Sequence, residues 1–138
     1  MNKITAAGAK PSDSEKVTIN LGFVDLGHID LMVVEGFYST RTDFIRTAIR
    51  NQLDRQADTV KQLIGRRELD LGLRLITREA LETAKAEGNL LHIQVLGLAS
   101  IAPDVTPSLA RDTIGSLHVL GALQATPEIK AALRDRIR

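Results

Sequence analysis

The stretch Lys16-Val17-Thr18-Ile19-Asn20-Leu21 alternates polar and apolar side chains, and two helix-like segments joined through Gly36-Phe37-Tyr38-Ser39 follow it at once. In a strand, successive side chains point to opposite faces, so Val17, Ile19 and Leu21 line one face and Lys16, Thr18 and Asn20 the other. The first face needs a core. The second carries an ammonium, a hydroxyl and an amide, groups able to hydrogen-bond to base edges in the major groove of DNA. A lone strand ahead of two short helices has no strand partner in its own segment, and even an isolated hairpin is only marginally stable in water. The simplest source of a partner is a second copy of the chain, giving an antiparallel two-stranded ribbon whose apolar face rests on four helices.

The first helix is expected from Asp25 to about Glu35, because Leu26, Ile29, Met32 and Val33 recur at three- and four-residue spacing. Gly36 is its expected end, since glycine adopts the left-handed conformation without a Cβ clash. Thr40-Arg41-Thr42-Asp43 reads as a capping box: the Thr40 hydroxyl accepts from the amide three residues on, and the Asp43 carboxylate reaches back to the cap. Phe44, Ile45, Ala48, Ile49 and Leu53 then form a buried stripe, with Arg46, Arg50 and Arg55 outside it. Asp54 to Leu63 contains no breaker, so this helix is expected to run on until Gly65 stops it.

This order of parts resembles the ribbon-helix-helix repressors of the CopG/Arc/MetJ type, most closely the CopG branch, over about residues 15–53. The likeness is carried by Lys16-Val17-Thr18-Ile19-Asn20-Leu21, by Gly36-Phe37-Tyr38, and by Arg41-Thr42-Asp43-Phe44-Ile45-Arg46 with Ala48-Ile49-Arg50. The resemblance implies a homodimer whose ribbon enters the major groove of double-stranded DNA, with Lys16, Thr18 and Asn20 reading bases. It implies a dimer core of Val17, Ile19, Leu21, Ile29, Ile45 and Ile49. It also implies a phosphate anchor at Ser39, Thr40, Arg41 and Thr42, which agrees with the free amides and positive dipole end of a helix start. Gly22 departs from the proline often found after the ribbon, which affects the rigidity of that corner.

Composition sets bounds on the remainder. The chain has 138 residues, 43% hydrophobic and 25% charged, which is globular rather than disordered and fits one domain or two small ones. The absence of cysteine excludes disulfides and thiolate metal sites and agrees with a reducing cytosol. Residues 1–14 have no apolar central run and read as a flexible arm; no stretch reaches membrane-span length. The expected location is cytoplasmic and nucleoid-associated. Charge does not single out the amino-terminal part as basic, because up to Ile64 eight lysines and arginines are balanced by eight acidic residues. Modest affinity per dimer is expected, with tight binding from several dimers on repeated half-sites.

Beyond Gly65 the pattern changes. Val95-Leu96-Gly97 followed by Pro103-Asp104-Val105 recurs 24 residues later as Val119-Leu120-Gly121 followed by Pro127-Glu128-Ile129, with a fainter earlier copy at Leu71-Gly72-Leu73. Each copy combines an apolar strand-like run ending near glycine, a turn and a helix start. Leu90–Leu96 and Leu117–Leu123 are the strand candidates, while Thr77, Thr106-Pro107 and Thr126-Pro127 are the helix caps. Alternating strands and helices at this period predict small β-α units with parallel or mixed strands. Two or three such units leave faces and edges unpaired, so residues 65–138 are expected to self-associate.

Enzyme chemistry finds little footing. No glycine-flanked nucleophile and no phosphate-binding glycine loop occurs. His28, His92 and His118 are the only histidines. His92 and His118 each begin a strand-like run, but a transition-metal site needs three or four converging ligands, so no metal or other cofactor is expected. The sequence therefore predicts an α+β chain: an arm over residues 1–14, a ribbon-helix-helix DNA-binding domain over 15–64, and a small α/β oligomerisation domain over 65–138. The expected function is a non-enzymatic transcriptional repressor, dimeric through its ribbon and tetrameric or larger through its carboxy-terminal region. Alternatives are an antitoxin whose carboxy-terminal region binds a toxin protein, and a self-assembling structural protein. The toxin-binding segments of such antitoxins are usually polar and fold on binding, whereas residues 69–133 are apolar and patterned.

Overall fold

A computed structural model describes residues 14–138; the expected arm lies outside the described residues apart from Ser14. Contacts divide the chain into two compact units, one reaching to Val60 and the other beginning at Lys61. The first contains α1 (Phe23–Val34) and α2 (Arg41–Arg55). α1 closes with a Schellman turn, in which the Phe37 amide donates to the Met32 carbonyl and the Gly36 amide to the Val33 carbonyl, each at 3.0 Å. Gly36 holds φ at +85°, the conformation that this turn requires and that a Cβ disfavours.

The second helix differs from its expected course at both places where the chain changes direction. It breaks at Gln56, whose amide is shared between the Gln52 and Leu53 carbonyls, and α3 (Ala57–Arg67) starts on the next residue. Gly65 does not stop it. That glycine lies inside α3, and the left-handed position is taken by Glu68 at φ +55°, with the Leu69 amide donating to the Ile64 carbonyl at 3.1 Å. The stop signal is this turn, which a glycine would have favoured but which Glu68 makes.

The second unit alternates strand and helix: β1 (Asp70–Ile76), α4 (Arg78–Ala86), β2 (Leu91–Ile101), α5 (Pro107–Thr113), β3 (Ile114–Gln124) and α6 (Pro127–Ala132). The three strands form a parallel sheet in the order β1-β2-β3. Threonine starts each helix as expected: Thr77, Thr106 and Thr126 accept hydrogen bonds from the amides of Ala80, Leu109 and Ile129. Caps of this kind contribute about 1 kcal/mol each.

Sheet and helices share one core. Ile93, Val95, Ala99 and Ile101 of β2 and Leu117 of β3 pack with Leu81 of α4, Leu109 and Ala110 of α5, and Ile129 of α6. The single face used is explained by the order of the strands, since each crossover helix returns to the side already covered by the others. Near its start the β3 edge is closed by the chain end: the Leu117 amide donates to the Arg136 carbonyl and the Arg138 amide to the Leu117 carbonyl, both at 2.9 Å.

β2 runs past its expected end at Leu96 because Gly97 lies mid-strand, and β3, expected over Leu117–Leu123, already starts at Ile114. The register sets Gly72 beside Gly97 and Gly97 beside Gly121, so the members of the sequence repeat stand side by side. All three have positive φ, at +104°, +136° and +125°. A Cβ on Gly97 would lie 2.3 Å from the Gly72 carbonyl oxygen, and one on Gly121 would lie 2.0 Å from that of Gly97. Only glycine permits the strands to bend together at this line.

Candidate nucleic-acid interface

Lys16, Thr18 and Asn20 lie in the segment ahead of α1, which has no strand pairing among the described residues. All three side chains are exposed, and so is the apolar set between them, with Val17 77% and Ile19 59% accessible. Leu21 is half-buried. The segment borders an apolar groove of about 520 Å³, lined by Ile19, Leu21, Ile29, Phe44, Ile45 and Ile49, with Asp25, His28 and Gln52 as its polar lining. Of the six residues expected in a dimer core, only Ile29 is buried in one chain, and Ile49 is 54% accessible. Apolar side chains lining a groove that none of the described residues fills form the surface to which a second apolar layer would be drawn.

The start of α2 is built by its own polar side chains. The Thr40 hydroxyl accepts from the Asp43 amide at 3.0 Å, the half of the capping box that satisfies the third turn amide. The Asp43 carboxylate reaches back one residue further than the sequence suggests, accepting from the Ser39 amide at 3.0 Å and the Ser39 hydroxyl at 3.2 Å. Behind this cap, the Tyr38 and Phe44 rings meet edge to face at 4.9 Å and fix the turn against the helix. Ser39, Thr40, Arg41 and Thr42 are thereby gathered at one exposed helix start, with Arg46 and Arg50 also exposed further along α2.

Arg41 is not free in the single chain. Its Nε and one terminal nitrogen donate to the two carboxylate oxygens of Asp30 on α1, each at 2.8 Å, a bidentate pair. The hydrogen bond from Arg41 holds the Asp30 carboxyl below its usual range, and the same bond raises the Arg41 guanidinium. Both side chains are about half accessible, so solvent screens the pair and its effect is on geometry more than on stability. Sequence reasoning missed it. The available signal was an aspartate on the helix before the turn and an arginine in the first turn after it, a pairing that becomes visible only once the turn is known to be tight.

Elsewhere, His92 and His118 come to the same outward face of the sheet, His92 opposite Ser116 and His118 opposite Gln94. The His92 ring nitrogen Nδ1 lies 2.9 Å from the Ser116 hydroxyl. Among the described residues no group of three or more histidines and carboxylates is placed to hold a metal ion, and no helix is long and apolar enough to cross a membrane.

The pattern of the ribbon-helix-helix transcriptional regulator family matches residues 12–130. The chain belongs to that family. Its members are DNA-binding transcriptional regulators that usually dimerise and are typically not enzymes. The match extends far beyond residue 53, so the strand-helix units of the carboxy-terminal half belong to the same family pattern as the amino-terminal segment. No curated protein and no solved structure matches the chain.

Proposed function

We propose that this regulator is a repressor that binds DNA as a homodimer, pairing residues 16–21 of two chains into an antiparallel ribbon seated in the major groove. Lys16, Thr18 and Asn20 read base edges, while Ser39, Thr40, Arg41 and Thr42 hold a phosphate at the start of α2. The observation that carries this reading is the uncovered apolar face of Val17 and Ile19 beside the apolar groove over α1 and α2. Pairing two copies satisfies the backbone of the segment, covers both grooves and leaves the polar residues facing outward. Residues 65–138 self-associate and join dimers into a tetramer or larger assembly on adjacent half-sites. The packed core over Ile76 to Leu133 is unlike a segment that folds on binding, which gives an antitoxin role no support.

In vitro selection from random duplex DNA, followed by titration of the selected site, tests this function. Replacing Lys16, Thr18 and Asn20 together with alanine is expected to remove discrimination while the chain stays folded, at about 1–3 kcal/mol for each lost base contact. A folded triple variant with full selectivity would refute the ribbon assignment.

A further inference from the structure

The helices of the carboxy-terminal unit share one core with one face of its sheet, and the other face is made of leucine. On that outward face Leu71, Leu96 and Leu120 align across the three strands, Leu73 and Leu98 align with Ala122 in the next row, and Leu75 follows on β1. Leu71, Leu73, Leu75 and Leu120 are 70%, 69%, 59% and 41% accessible. Parallel sheets are almost always covered on both faces, because their crossovers bring helices to each side. Here the strand order sends the helices to a single side, and the outward leucines of β1 with Leu120 remain exposed around the half-buried Leu96 and Leu98.

We infer that this leucine face packs against the same face of a second copy of the chain belonging to another dimer, and is the contact by which dimers are joined. The inference rests on the proposed self-association of residues 65–138 and names the surface that does it. Chemistry and area decide the occupant. The leucine rows carry no charge and no hydrogen-bonding side chain, so they cannot recognise nucleic acid or a charged peptide, whereas an identical leucine face is complementary to them by symmetry.

Three strands about 4.8 Å apart and five residues at about 3.3 Å each give a patch of roughly 250 Å² in the plane of the sheet. One pair of such patches covers on the order of 500 Å², too little for a specific interface between free partners. A dimer presents two patches. Two dimers meeting at both cover on the order of 1,000 Å², the lower limit for a stable specific contact, and the second contact forms at the high effective concentration set by the first. The patch is therefore sized for a bivalent partner. At its ends, His92 with Ser116 and Gln94 with His118 lie beyond one row, and Ser100 with Gln124 beyond the other, giving the polar rim common at such interfaces.

The chain contains no cysteine, so a single introduced thiol reports this contact without interference. Leu98→Cys places a thiol at the centre of the face on β2. Mild oxidation of the full-length protein is expected to give interchain disulfides within a species that sediments above dimer mass, while Glu82→Cys on α4 gives none. Leu73→Lys, at an accessible edge position that the folded unit tolerates, is expected to raise the dissociation constant between dimers at least about tenfold, because two-fold pairing brings like charges into an apolar contact. Circular dichroism confirms that the variant is folded, and titration with a single half-site pair reads the ribbon separately.

If the parent assembles above a dimer and Leu73→Lys leaves that unchanged, the leucine face is refuted while self-association stands. If the parent is only a dimer, self-association itself fails. A Leu98→Cys disulfide confined to dimer mass would place the contact within one dimer and overturn the joining role. Loss of single-site binding in the parent would count against the ribbon and not against this surface.

Discussion

Replacing Gly97 with alanine separates two costs that the glycine line of the sheet combines. Gly72 and Gly97 both hold positive φ, at +104° and +136°, yet a Cβ on Gly72 meets nothing within 4 Å, while one on Gly97 meets the Gly72 carbonyl oxygen at 2.3 Å. Gly72→Ala therefore reports conformational strain alone, about 1–3 kcal/mol for a side chain held in such a region. Gly97→Ala adds a collision with backbone. That oxygen belongs to a hydrogen-bonded strand and cannot rotate away, so β1 and β2 must move apart locally, at a further cost of roughly 1–3 kcal/mol by analogy with overpacked cores. The combined loss is about 2–6 kcal/mol, a large share of the stability of a small domain. Urea denaturation of each variant at one fixed protein concentration, with the transition of the carboxy-terminal unit followed by far-ultraviolet circular dichroism, measures the difference. A Gly97→Ala chain as stable as Gly72→Ala would show that the strands have room at this line and would refute the close approach as the reason for glycine.

Arg41→Ala is expected to weaken binding to all DNA sequences alike and to reduce the slope of log affinity against log salt by about 1, as for one lost phosphate contact. Asp30→Asn removes the carboxylate that shares Arg41 and is expected to raise affinity for every sequence. The pair itself, with the Asp30 carboxyl held low, is intact at neutral pH, and its contribution is lost as pH falls through that lowered value. Fluorescence anisotropy over a salt series checks both, and a change in base preference for Arg41→Ala would move the phosphate anchor elsewhere. A chain ending at Val60 is expected to bind a single half-site pair about as the parent does but to lose roughly 10²–10⁴ of avidity on operators with several sites. Sedimentation combined with titration on one-site and multi-site DNA tests this, and equal avidity of both chains on long operators would remove the carboxy-terminal unit from assembly.

Local signals carry much of the fold into the sequence. The Thr40, Thr77, Thr106 and Thr126 caps, the Gly36 turn and the alternation of strand and helix after residue 69 are all legible, because each depends on a few neighbouring residues and a short-range hydrogen bond. What is not legible depends on distant partners. Gly97 looks like a strand end, since a glycine inside an apolar run more often marks a turn; only lateral pairing reveals that it stands in one line with Gly72 and Gly121. Glu68 gives no sign that it will take a left-handed turn, and Gly65, two residues before the end of α3, draws attention away from it. The Asp30 and Arg41 pair spans two helices and has no periodic signature.

The two halves of the chain leave different kinds of surface uncovered, and this bears on the two contacts proposed between copies. In the amino-terminal unit the uncovered element is backbone as well as side chain: residues 16–21 have the alternation of a strand but no ladder among the described residues, and the proposed ribbon would give them one. In the carboxy-terminal unit the ladder is complete on β2 and the start of β3 is closed by residues 136–138, so that apart from the β1 edge and the rest of the β3 edge it is the outward apolar face that is left uncovered. A strand partner must match register and direction, which favours one defined dimer. An apolar face requires only shape and area, which suits it to a weaker contact between dimers formed first through the proposed ribbon. If the ribbon and the leucine face act as proposed, this order of strengths lets DNA spacing decide how many dimers assemble: each dimer forms by itself, and the leucine contacts add enough only when neighbouring sites hold two dimers side by side.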